Sequence, residues 1–142
     1  MRIYSEDFED GKQIPREFGY REKNISPHIA WEDVPSDARS LALLCNDPDA
    51  PVGNWIHWGI HSIDPNVKDI PKGGPAPGVE IRNDYGKSGW GGPAPPSGTH
   101  RYFFTLYALD VPSLKGATGK DFEQRCEKHK IEKAQFMGTY SR

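Results

Sequence analysis

Leu41-Ala42-Leu43-Leu44-Cys45-Asn46-Asp47-Pro48-Asp49 decides the architecture. Five consecutive apolar residues with no polar face read as a strand in the middle of a sheet that is covered on both sides. The run ends on two carboxylates flanking a proline. A carboxylate at the end of a core strand is costly to desolvate, so it needs a partner or a task. In extended chain Leu41, Leu43, Cys45 and Asp47 share a face, and Asp49 continues that side if the strand stays extended.

Two further stretches have the same character. Trp55-Ile56-His57-Trp58 sets a histidine among apolar side chains, and alternation predicts Trp55, His57, Gly59 and His61 on one face with Ile56, Trp58 and Ile60 on the other. The third stretch starts at His100-Arg101-Tyr102 and is apolar on both faces from residue 102 to 109. If these strands are neighbours, Asp47, Asp49, His57, His100 and Tyr102 line one pocket at a sheet edge.

The rest of the chain supports a β-rich fold. Its 13 prolines and 15 glycines cut the apolar pattern into short runs. Strands are predicted over residues 2–4, 28–32, 40–46, 55–63, 79–83, 101–109 and 134–140. One helix is predicted, from a capping box at Thr118 and Asp121 to about Lys130, with Phe122, Cys126 and His129 on one face. Half of residues 71–98 are glycine or proline, yet Tyr85 and Trp90 within them predict an ordered, packed loop.

Bulk properties exclude several classes. At 142 residues the chain suits one domain, burying about two-thirds of its unfolded surface. A net charge of −2, with the charges interspersed, is wrong for a nucleic-acid binder. No apolar run approaches the roughly 20 residues of a membrane span. The amino terminus lacks a secretory h-region, and the expected location is cytoplasmic. Cys45 and Cys126 read as buried free thiols, though the sequence leaves a disulfide between them open.

Sharper catalytic and metal motifs fail. Gly86-Lys87-Ser88 mimics the end of a phosphate-binding loop, but the leading glycine position is Ile81 and no helix follows. There is no GxSxG elbow for Ser88 or Ser97, and no HExxH. Asp47, Asp49, His57 and His100 do not form a recognised metal pattern, so no metal and no cofactor are expected. Asn24-Ile25-Ser26 matches a glycosylation sequon only by chance. Taken singly, Asp47-Pro48-Asp49 is a turn, His57 a core histidine held by a carbonyl, and Trp55, Tyr85 and Trp90 packing residues. Their joint occurrence is what points to a site.

Asp47-Pro48-Asp49-Ala50-Pro51, Trp55-Ile56-His57-Trp58 and the run from Gly91-Gly92-Pro93 to His100-Arg101-Tyr102 together resemble the phosphatidylethanolamine-binding protein (Raf kinase inhibitor-like) family. The short form and the closing Gly138-Thr139-Tyr140 resemble its bacterial and archaeal branch. The resemblance implies one such domain over residues 1–142, mostly β. A central antiparallel sheet would pack against a smaller sheet, with a helix near the C-terminus. It also implies a pocket for phosphate or phosphorylated head groups, lined by Asp47, Asp49, His57, Gly92, His100 and Tyr102, with Tyr85 nearby.

Imidazoles, the Tyr102 hydroxyl and the backbone N–H groups of Gly91 and Gly92 are the expected donors. Non-catalytic binding that strengthens as pH falls through about 6.5 is the expectation. Inhibition of a kinase or protease partner is one alternative, as in some relatives. A weak phosphoesterase ranks lowest, because no activated nucleophile is visible. The resemblance further implies a homodimer.

Overall fold

A computed structural model describes all residues, 1–142. Its elements run β1 (Arg2–Tyr4), β2 (Ile29–Glu32), β3 (Ser40–Asp47), β4 (Trp55–Ile63), β5 (Asp69–Ile70), β6 (Val79–Glu80), β7 (Thr99–Leu109), α1 (Phe122–His129) and β8 (Lys130–Ser141), with one 3-10 turn at Arg16–Phe18. Five strands form an antiparallel sheet in the order β6-β4-β3-β7-β8, and three form a smaller one in the order β1-β2-β5. This is the mostly β architecture that the apolar runs predict. The long run at residue 41 does occupy the centre of the larger sheet.

Both faces of that sheet are covered, as a strand apolar on both sides requires. Leu41, Leu43 and Cys45 pack with Phe104 and Leu106 against Ile3, Ile29 and Trp31 of the smaller sheet. Ala42 and Leu44 face the other way, with Tyr107, Phe122 and Cys126, under α1. Both cysteines are buried and free.

Strand β4 departs from simple alternation at two places. Opposite β3, Cys45 pairs with Trp58 but Asn46 pairs with Ile56, so His57 has no partner across the ladder. Leu41 pairs with Ile63 and Leu43 with Ile60, so Ala42 faces both His61 and Ser62. Each is a β-bulge, and Ser62 takes a left-handed φ of 59° to make the second. The predicted face assignment of β4 is therefore corrected. Trp58, Ile60 and Ile63 all enter the core between the sheets, while Ile56 joins the helix side.

Smaller differences have local causes. β5 is two residues long, too short to alternate visibly. β6 stops at Glu80 rather than 83, because Asn83 folds its loop back on itself: its Oδ1 accepts from the N–H of Tyr85 and its Nδ2 donates to Gly89 O. β8 begins at Lys130, directly after the helix, where charged residues hid its start. The helix begins at Phe122, later than predicted. Thr118–Asp121 is a preceding turn, in which the Asp121 carboxylate accepts from the Thr118 N–H at 2.8 Å. No helix is long and apolar enough to cross a membrane.

Candidate functional site

The end of β3 and the starts of β4 and β7 meet around a cleft of about 390 Å³. Asp47 reaches it from β3, Trp55 and His57 from β4, and His100 and Tyr102 from β7. The bulge at His57 does the positioning. The extra residue carries the imidazole onto the wall shared with Tyr102, whose ring meets it edge-on at 5.1 Å.

His57 is buried, and its Nδ1 lies 2.6 Å from the carbonyl oxygen of Gly91. A carbonyl only accepts, so Nδ1 carries the proton. The Gly91 N–H returns a bond to the carbonyl of His57 at 2.9 Å. Burial pushes the imidazole down to about 4, outweighing the raising pull of Gly91, Asp47, Asp84 and the Gly92 backbone. A pH dependence centred on about 6.5 therefore cannot come from His57, because desolvation dominates. Near neutral pH His57 is uncharged, and with the proton on Nδ1 the other ring nitrogen, Nε2, carries a lone pair.

Asp47 is also buried, and both its oxygens are engaged. Oδ2 accepts from His100 Nδ1 at 2.7 Å, and Oδ1 accepts from the Asp49 N–H at 2.7 Å. The second bond is the turn that Asp47-Pro48-Asp49 suggests when read alone. It also ends the extended conformation, so Asp49 does not continue the face of Asp47. Asp49 instead grips Arg101 through the Arg101 N–H at 3.0 Å, Nε at 2.9 Å and Nη2 at 2.8 Å. That guanidinium lowers the Asp49 carboxyl to about 2. Asp49 lies outside the residues that line the cleft.

Gly91 and Gly92 likewise do not offer the expected N–H donors. The N–H of Gly91 is engaged by His57, and that of Gly92 donates to Asn24 Oδ1 at 2.8 Å. Their role is close approach: a Cβ on Gly92 would collide with the carbonyl oxygen of Phe18, and one on Gly91 with the Tyr85 ring. Tyr85 does line the cleft, but its hydroxyl donates to Gly92 O at 2.8 Å. Its ring stacks on Tyr20 at 3.9 Å, and burial raises its hydroxyl pKa.

Two buried donors on the wall have no partner at all, the Tyr102 hydroxyl and the Trp55 Nε1–H. Buried polar groups are nearly always hydrogen-bonded, so an orphan on a cleft wall calls for a partner from outside the chain. Burial, then the nearby Asp47 carboxylate, raises the Tyr102 hydroxyl well above its usual range, so it stays protonated as a donor. Trp55, a packing residue when read singly, is not among the expected site residues. Sequence reasoning also missed Tyr20, Arg21 and the apolar rim of Val52, Pro95 and Pro96. The rim side chains carry no chemistry that singles them out. Asp84 escaped notice as well; its carboxylate accepts from the Ile56 N–H at 2.7 Å and fastens the loop beside the bulge.

Known proteins share this architecture. The family model described as phosphatidylethanolamine-binding protein matches residues 4–141. A UPF0098 protein of Methanothermobacter thermautotrophicus is 42% identical over 150 residues, covering 100% of this chain and 99% of the relative. One from Aquifex aeolicus is 40% identical over 152 residues, covering 100% of this chain and 89% of the relative. Among solved structures, a Chlamydia trachomatis chain described as a phosphatidylethanolamine-binding protein homologue superposes with a TM-score of 0.91 at 35% identity, covering 99% of this chain and 97% of that one. Escherichia coli YbcL, described as a member of the mammalian family, gives 0.93 at 28% identity, covering 99% and 98%. Fold, chain length and family model agree, and the chain belongs to the phosphatidylethanolamine-binding protein family.

Proposed function

We propose that the cleft binds a small anion or phosphorylated head group and does not turn it over. The supporting observation is the pair of buried donors, Tyr102 Oη and Trp55 Nε1, that find no acceptor within the chain. A ligand oxygen at the cleft wall would satisfy them. Arg21 sets a guanidinium among the lining residues, which favours an anion over a neutral ligand. Val52, Pro95 and Pro96 offer apolar surface to the carbon portion of a head group. No serine, threonine or cysteine lines the cleft, so no serine or threonine hydroxyl and no thiol stands beside His57 or His100.

Calorimetric titration at about pH 6 with inorganic phosphate and with phosphoethanolamine tests this reading, and saturable heat with one site per chain is the expected result. Absence of heat from both, at millimolar ligand, overturns it. Release of phosphate from phosphoethanolamine by the protein would overturn the non-catalytic part alone.

A further inference from the structure

The wall of the cleft is not uniformly a donor surface. Beside the two orphan donors stand two acceptors, Nε2 of His57 and the carboxylate of Asp47. The His57 assignment follows from geometry: the carbonyl of Gly91 fixes the proton on Nδ1, which leaves a lone pair on the other nitrogen. Asp47 cannot turn away, because one oxygen is held by His100 and the other by the backbone of Asp49.

An oxyanion that brings only lone pairs would satisfy Tyr102 and Trp55 but set acceptor against acceptor elsewhere. We infer that the site selects oxyanions that still carry a proton, a phosphomonoester monoanion rather than a sulfate ester, with the P–OH donating to His57 Nε2. This rests on the anion-binding reading above and names the ligand class within it. A site built to accept a ligand O–H discriminates strongly against the analogue that lacks it, because the mismatch leaves buried polar groups unpaired.

Methyl phosphate and methyl sulfate make the test. Below the second phosphate pKa of about 6 both are singly charged and nearly the same shape, and they differ by one proton. At about pH 5.5, calorimetry should give methyl phosphate a dissociation constant at least about tenfold lower than that of methyl sulfate. As pH rises from about 5.5 to 8 the methyl phosphate affinity should fall relative to that of methyl sulfate, by up to about tenfold per unit. His57 stays neutral over this range, since burial holds it at about 4. The other titratable or charged groups facing it are Asp47, Asp84, Tyr85, His100 and Tyr102, with Arg21 also lining the cleft. Any effect of these groups on a singly charged anion is read from methyl sulfate, so the ratio of the two affinities reports the ligand proton. Methyl sulfate binding within about twofold of methyl phosphate, or a ratio that does not change with pH, overturns the inference while leaving anion binding intact. No binding of either ester overturns both readings.

Discussion

Asp47 and His100 reach toward each other from neighbouring strands and share a 2.7 Å hydrogen bond between Oδ2 and Nδ1. The carboxylate accepts a second bond, from the Asp49 N–H, so one buried group fixes both an imidazole and a turn. An asparagine in its place sets an amide NH₂ donor where one of the two oxygens accepted, against either His100 Nδ1–H or the Asp49 N–H. Asp47→Asn is expected to destabilise the fold by about 1–3 kcal/mol, the cost of a buried donor left unpaired. Denaturant unfolding measures this, and unchanged stability would refute the dual role.

Tyr102→Phe should behave in the opposite way. The hydroxyl has no partner within the chain, so its removal deletes an unsatisfied buried group. Stability of the free protein is expected to stay level or rise by up to about 1 kcal/mol, while phosphate affinity falls about tenfold. Thermal melts with and without phosphate separate the two effects. A variant that is less stable without ligand would show that the hydroxyl has a structural partner.

His57 gives a pH dependence with a definite sign. Its folded value of about 4 lies below the ordinary imidazole value of about 6.5. The fold therefore favours the neutral ring. The stability this contributes is complete above about 6.5 and is lost as pH falls toward 4. Nitrogen-resolved NMR should find the proton on Nδ1 at neutral pH and a midpoint near 4 for this ring. A midpoint at or above about 6 would contradict the desolvated environment.

A second acid-labile contribution comes from the surface. Arg101 lowers Asp49 to about 2, and Lys130 followed by Lys133 lowers Glu127 to about 2. Depressed carboxylates stabilise the fold above their unfolded values of about 4 and lose that contribution as pH drops to 2. Asp49→Asn and Glu127→Gln should each flatten the loss of stability between about pH 4 and pH 2. Parallel acid titrations of the variants and the parent, followed by circular dichroism, would reveal an unchanged slope if these pairs contribute nothing.

Much of this molecule is legible from residue order, and the reasons are physical. Leu41–Cys45 and residues 102–109 declare central strands because a short run that is apolar on both faces needs cover from two sides. The meeting of Asp47, His57, His100 and Tyr102 follows once those strands are neighbours. What stayed hidden depends on single-residue geometry. A bulge leaves no compositional trace, so the faces of β4 could not be assigned beyond Ile56. Asp49 looked equivalent to Asp47 until the turn between them sent it to Arg101. The N–H groups of Gly91 and Gly92 looked free because their acceptors, His57 O and Asn24 Oδ1, lie 34 and 68 positions away in sequence.

The bulge at His57 also makes that residue supernumerary to the sheet. Trp58 faces Cys45, Ile56 faces Asn46 and Trp55 faces Asp47, with His57 interposed and unmatched. Excising it would close this interruption of the ladder with all three pairings in register. The hydrophobic architecture and the imidazole are therefore separable by a single codon. A deletion rather than a substitution is the change that removes this imidazole while leaving the strand pairing on either side in register.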